Sequence, residues 1–561
     1  MSMQPQPWPE VPAQTARVAR AAFRKGSLAI RARDQLGAWY DDAAFAGAYG
    51  VRGAPGIYPA QLAMVTVLQF TENLTDRQAA DAVRGRLDWK YCLGLALTDE
   101  GFDFSVLSEF RDRLAAGGLE RSLFELLLAR VKERGLVKAG GRQRTDSTHV
   151  LGRIRELNRL ELAGEAVRAA LEALAAAAPG WLATVIGPSW QQVYGQRIDS
   201  MRLPGSQARR AALAVQYGTD GYRLLAAVRA PGAPPWAAGL PAVEALRRIW
   251  IQQYYRVIDA HGEKVMRREA HQHGLPPGRS RVISPYDTAA RYGEKRGRGW
   301  NGYKIHLTES CHQPGPAGWR AAPNLITHVA TTPASAADMA MTSGVHDGLQ
   351  ACGLTPAEHL VDAGYACADS LVSAQQRGIA LIGPLRATAT AAARSGGYTA
   401  EMFTIDWDCR QATCPQGVAS VTWHEHTASQ GRGEAILVRF PASACRACPA
   451  RAQCTTARGG RTLGLRPRPI HQAVTAARAA QATPAWKRTY AARAGVEGTI
   501  WQATHVTGIR HARYTGLAKT SLEHNTAAAA INLIRLDSWW AGTPLDQTRT
   551  THLQRLQLTT A

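Results

Sequence analysis

Three carboxylates stand far apart in this chain, each in a short context that fixes the kind of element carrying it. Asp146 lies in Arg144-Thr145-Asp146-Ser147-Thr148-His149, just before a long helical stretch, and needs a strand to present it. Asp362 closes the apolar run His359-Leu360-Val361-Asp362 and is followed by Ala363-Gly364-Tyr365. Glu497 ends Tyr490-Ala491-Ala492-Arg493-Ala494-Gly495-Val496-Glu497, inside a strongly helical C-terminal segment. Two aspartates on strands and one glutamate on a helix can hold a pair of divalent cations, Mg2+ or Mn2+. Such a pair activates a water or a 3′-hydroxyl and stabilises the leaving oxygen of a phosphodiester. Singly, Asp-Ser-Thr is a helix N-cap and Arg-x3-Glu an i,i+4 ion pair. Taken together, the catalytic reading is the stronger.

With 561 residues the chain should divide into two to four units. Hydrophobic residues at 45% and charged residues at 20% allow an ordinary core. Sixty-six Lys+Arg against 44 Asp+Glu give a net charge of +22, which favours a polyanionic partner through counterion release. A chain that is merely rich in Arg is the bland alternative. The first thirty residues lack the apolar stretch of a secretory signal, and no run of eighteen apolar residues occurs. The expectation is a cytoplasmic, nucleoid-associated protein with reduced thiols, no membrane contact and no nucleotide cofactor, since no phosphate-cradling glycine loop is present.

Along the chain, 1–35 is expected to be a flexible segment and 36–140 a helical DNA-binding or dimerisation domain. Residues 141–384 should form the first part of an α/β core, interrupted by a helical insertion at about 151–281. Strand-like runs fall at 302–308, 325–332, 359–362 and 379–384, besides the strand carrying Asp146. The Cys-rich stretch 385–480 reads as an insertion, 481–540 as the helical part carrying Glu497, and 541–561 as a tail. The fold class is α/β, a mixed sheet flanked by helices, consistent with an RNase H-like core.

At these motifs the chain resembles the DDE transposases of bacterial insertion sequences, in the branch with a Tyr-x2-Arg-x3-Glu-x6-Lys signature. Tyr490, Arg493 and Glu497 match its spacing, while Thr145-Asp146-Ser147-Thr148 and Asp362-Ala363-Gly364-Tyr365 resemble the two aspartate motifs. The resemblance implies that Asp146, Asp362 and Glu497 are catalytic and hold two Mg2+ ions, and that Tyr490 and Arg493 contact DNA. It also implies cleavage at terminal inverted repeats, attack on target DNA by the freed 3′-hydroxyl, a hairpin intermediate, and a homodimer or larger assembly on double-stranded DNA. Position 504 departs from the pattern: Thr504 stands where the signature has lysine. His505, Arg510 or Lys519 could supply that cation.

Two further signals come from the residues themselves. Cys414-Pro415-Gln416-Gly417, Cys445-Arg446-Ala447-Cys448 and Cys454 have spacing suited to a structural Zn2+ held by four thiolates. Reduced thiols without metal are the alternative. In Tyr292 to Lys304, cations alternate with aromatics and glycines, which suits DNA contact by Lys295, Arg296, Arg298 and Lys304; a solvated loop leading into a strand is the plainer reading. An RNase H-like nuclease or resolvase that cuts without joining, and an inactive DNA-binding relic, remain the rival functions.

Overall fold

In the computed structural model the described residues are 2–53, 56–199, 201, 203–260, 262–295, 297–312, 322–385, 396–427 and 434–543. Arg296 therefore lies outside them.

The sheet grows around a strand that is polar in sequence. Strand β1 (Arg142–Leu151) buries Gln143, Arg144, Thr145, Asp146 and Ser147, which is tolerated only because nearly every buried polar group finds a partner. Thr145 Oγ1 meets Thr308 Oγ1 and His359 Nε2, each at 2.7 Å, and Gln143 Nε2 donates to Leu354 O at 2.8 Å. A small hairpin follows far along the chain, β2 (Tyr254–Asp259) and β3 (Gly262–Arg267). Next come β4 (Arg291–Lys295), β5 (Arg298–Ser310), β6 (Ile326–Pro333), β7 (Glu358–Val361) and β8 (Ala380–Ile382). Strand β5 runs antiparallel to β1 on one edge and to β4 and β6 on the other. β7 lies parallel to β1, and β8 parallel to β7. The result is a six-stranded mixed sheet with helices around it.

Several expectations are corrected. Residues 1–35 are not a flexible lead-in: they form the helices Ala13–Ala22 and Leu28–Leu36, the second capped by Ser27, and Ala19 and Ile30 bury against Tyr91. The 36–140 helices are not a separate body either. The all-round apolar helix Pro59–Thr71 shares one core with Tyr303, Ile305 and Leu307 of β5 and with the helix Leu517–Trp540. The 151–281 insertion has its own core under the capping-boxed helix Arg159–Ala177, but it includes the β2–β3 hairpin where helix was expected. The basic aromatic stretch is no loop: it folds as the β4–β5 hairpin, with Gly297 at φ +75° in the turn that joins them. The described residues between 396 and 467 form a small unit of short strands, β9 (Thr404–Asp406), β10 (Gln411–Thr413), β11 (Thr422–Thr427), β12 (Glu434–Arg439) and β13 (Thr462–Leu465). Helix resumes at Arg468–Gln481, earlier than the expected 481.

Within the helix Leu517–Trp540, Glu523 is fully buried, and burial pushes its carboxyl up to about 8. Its Oε2 accepts from Arg513 N at 2.9 Å, while Oε1 has no partner among the described residues. An acid raised this way holds its proton more tightly in the native state than in the unfolded one. Stability therefore falls as pH rises from the ordinary glutamate range to about 8. Glu523→Gln keeps the acceptor and removes the charge. It is expected to raise stability by about 1–3 kcal/mol at pH near 8 and to change little near pH 4, read by denaturation at both pH values.

Candidate active site

The sheet register brings the two aspartates side by side. Thr145 pairs with Val361 on the parallel strands β1 and β7, so Asp146 and Asp362 each follow one residue beyond that pair. Asp146 Oδ1 accepts from Ser147 N, and Asp362 Oδ1 from Gly364 N, both at 2.7 Å. Burial raises the Asp146 carboxyl, Arg493 and the Ser147 N–H oppose that, and the Asp362 charge adds to it.

Glu497 enters from the first turn of the helix Gly495–Val506, with its side chain 67% exposed. Arg493 ties it to the sheet. Its Nη2 donates to Asp146 Oδ2 at 2.6 Å and its Nη1 to Glu497 Oε1 at 3.2 Å. Proximity to Asp146, Tyr490, Asp362 and Glu497 raises the guanidinium pKa against the opposing effect of burial. Arg493 thus bridges Asp146 and Glu497, and Asp362 is near enough to act on it.

That helix is docked by a buried ion cluster. Glu309 on β5 has no exposed surface; its Oε1 receives Arg144 Nε and its Oε2 receives Arg535 Nη1, both at 2.7 Å. Thr499 Oγ1 also donates to Glu309, and Arg144 Nη1 reaches Ala492 O at 2.6 Å. A side-chain carbon at Gly495 would lie 2.1 Å from Arg144 Nη1, so the helix start needs glycine for close approach.

Sequence reading missed Asp338, just after β6. Its Oδ1 pairs with Lys304 Nζ at 3.0 Å and its Oδ2 accepts from Ser147 Oγ at 3.3 Å. A Cβ at Gly364 would stand 2.9 Å from Asp362 Oδ1 and 3.3 Å from Asp338 Oδ2, so Asp338 borders the aspartate pair. Nothing around Asp338 in sequence signals this; only the topology does. His306 Nδ1 and Tyr365 OH, 2.5 Å apart, form a buried layer beneath.

The other expected DNA contacts are placed variously. Lys295 and Arg298 are exposed at the hairpin end, and Lys295 is near enough to act on Asp146. Lys304 is held inward by Asp338 and by Ala336 O at 2.7 Å. Arg510 bonds Thr148 and His149 on β1, and Lys519 pairs with Asp112 at 2.5 Å. Tyr490 stacks on Trp486 at 4.7 Å, and His505 on Trp501 at 4.4 Å. Trp501, one turn after Glu497 and 61% exposed, was not singled out from sequence. The Thr504 hydroxyl turns onto its own helix, donating to Ile500 O and Trp501 O at 3.0 and 2.9 Å.

Among the described residues, no three His, Cys, Asp or Glu side chains are already gathered as a formed metal cage. The donor set nonetheless suits hard divalent cations: carboxylate oxygens, one of them desolvated, around a position where a guanidinium now compensates the charge.

Two family models match this chain. One described as a transposase DDE domain covers residues 413–537, and one described as a transposase domain (DUF772) covers residues 23–113. The DDE match includes Glu497 and the four clustered cysteines, while Asp146 and Asp362 precede it. No match is found among curated proteins or among solved structures. Both matches are to transposase domains, and together they support a DDE-type transposase of the insertion-sequence kind. DNA is the partner this family implies. Among the described residues no helix is long and apolar enough to cross a membrane.

Proposed function

We propose that this protein cuts DNA at the terminal inverted repeats of an insertion sequence and joins the freed 3′-hydroxyls to target DNA. The observation that carries this is the meeting of Asp146 and Asp362, on adjacent parallel strands, with Glu497 on a docked helix that Arg493 links to Asp146. The strand order β6-β5-β1-β7-β8, antiparallel through β1 and parallel beyond it, supports an RNase H-like core.

Asp146, Asp362 and Glu497 would hold two Mg2+ or Mn2+ ions. When bound, such ions supply Lewis-acid activation of the attacking oxygen and stabilise the leaving one. The chain's own residues orient the reaction. The sheet fixes the two aspartates, and the Glu309 cluster fixes the helix that brings Glu497 to them. Arg493, once released from the carboxylates, is placed to hold a DNA phosphate by its planar fork. Tyr490, half-buried beside it, lines the same approach, and Lys295 and Arg298 extend a positive edge along the β4–β5 hairpin. Asp112 on the helix Ser105–Ala116 engages Lys519, so Lys519 would exchange that partner for phosphate on binding DNA. The N-terminal helices, packed on the same core, would contribute repeat recognition or pairing of two copies. Thr504 supplies no cation, and His505 or Arg510 would stand in for it.

The test is incubation of the full chain with Mg2+, a DNA ending in the element's own inverted repeats and a supercoiled target. Nicked ends together with covalently joined repeat–target product are expected. Cutting without joining would instead make the protein a resolvase-like nuclease, and repeat binding without cutting an inactive relic.

A further inference from the structure

The unit formed by 396–467 contains a second convergence of ligating side chains, remote in kind from the carboxylates. Cys414, Cys445, Cys448 and Cys454 line one cavity, with Tyr398 and Phe440 on its walls. All four are free thiols. Cys414 opens a turn that closes with Gly417 N donating to its carbonyl at 2.9 Å, and Gly417 takes φ +79° there. The sulfurs already receive backbone donors: Val418 N points to Cys414 Sγ at 3.4 Å and Arg461 N to Cys445 Sγ at 3.5 Å.

The unit also has a small core of its own. Its fully buried apolar side chains are Phe403, Ala412, Ile436, Val438, Phe440, Leu463 and Leu465, a thin core for a segment of this length. Small units of this kind are commonly completed by a metal or a disulfide.

We propose that Cys414, Cys445, Cys448 and Cys454 bind one structural Zn2+ as a tetrathiolate that holds this unit folded. The site is independent of the DNA chemistry. The sulfurs line the cavity without yet closing it, and binding draws them in by side-chain rotation. One Zn2+ replaces four thiol protons, leaving a complex of charge −2 beside Arg461, whose Nη1 is fixed on Cys454 O at 2.8 Å. Cys409, exposed and outside the cavity, takes no part.

The experiment measures zinc in the purified full chain by mass spectrometry, and its release to a chromogenic chelator as thiols are titrated with a mercurial. One zinc per chain is expected, retained in Cys409→Ser and lost in Cys414→Ser and Cys448→Ser. Because these variants could misfold, the native chain is also stripped and refilled with Co2+, and the visible bands of a tetrahedral thiolate site are expected. Purified chain without zinc, equal loss in Cys409→Ser, octahedral cobalt bands, or bound iron with sulfide absorption would each overturn the proposal.

Discussion

Asp146→Asn is expected to lower DNA cleavage on the order of a thousandfold or more, while the fold and DNA affinity stay intact. Asparagine has the same shape and still offers an oxygen to the Ser147 N–H, now at 2.7 Å from Asp146. What it lacks is charge. Burial already holds the Asp146 carboxyl above its ordinary range, so neutralising it relieves a desolvation cost instead of creating one. The variant should melt at or slightly above the parent temperature and still retard repeat DNA. The pairing of normal melting with lost cleavage separates a catalytic carboxylate from a structural one. Cleavage within tenfold of the parent would remove Asp146 from the catalytic set.

Glu309→Gln should act in the opposite way, through the fold. Glu309 is buried between Arg144 and Arg535, and Thr499 of the Glu497-bearing helix donates to it as well. The amide leaves two largely buried guanidiniums short of a counter-charge. Breaking a buried pair from one side costs about 3–5 kcal/mol. Melting should fall accordingly. Cleavage should fall further than melting alone explains at temperatures where the variant is still folded, because Glu497 loses its anchor. Substrate affinity should change less, since Glu309 has no exposed surface from which to touch DNA. An unchanged melting temperature would contradict the clamp.

The proposed catalytic trio could be picked out because each member sits in a short, self-contained context. His359-Leu360-Val361 reads as a covered strand wherever it is placed, and Arg493 four residues before Glu497 reads as one helix face. Their supports were not legible, for a physical reason. Lys304 looks like a free cation in sequence, but the β5–β6 pairing brings Asp338 back to it from thirty-four residues away. Glu309 looks like an ordinary strand-end acid until β1 and the Leu517–Trp540 helix bring Arg144 and Arg535 to it. The N-terminal stretch mixes Pro and Arg among its apolar residues, so its order was hidden; Ala19 and Ile30 gain their burial from Tyr91, distant in sequence. In β2 and β3 the alternation Tyr-Tyr-Arg-Val-Ile-Asp is only weakly two-sided, and most of the pair is exposed. Pattern alone could not separate it from the helices around it.

The most direct measurement is the rate of cleavage of repeat-ended DNA as Mg2+ is titrated, for the native chain, Asp146→Asn and Glu497→Gln side by side. The account predicts saturable, metal-dependent cleavage by the native chain and none above background for either variant, although all three bind the DNA. Cleavage that persists without a divalent cation, or survives in either variant at the native rate, would contradict it.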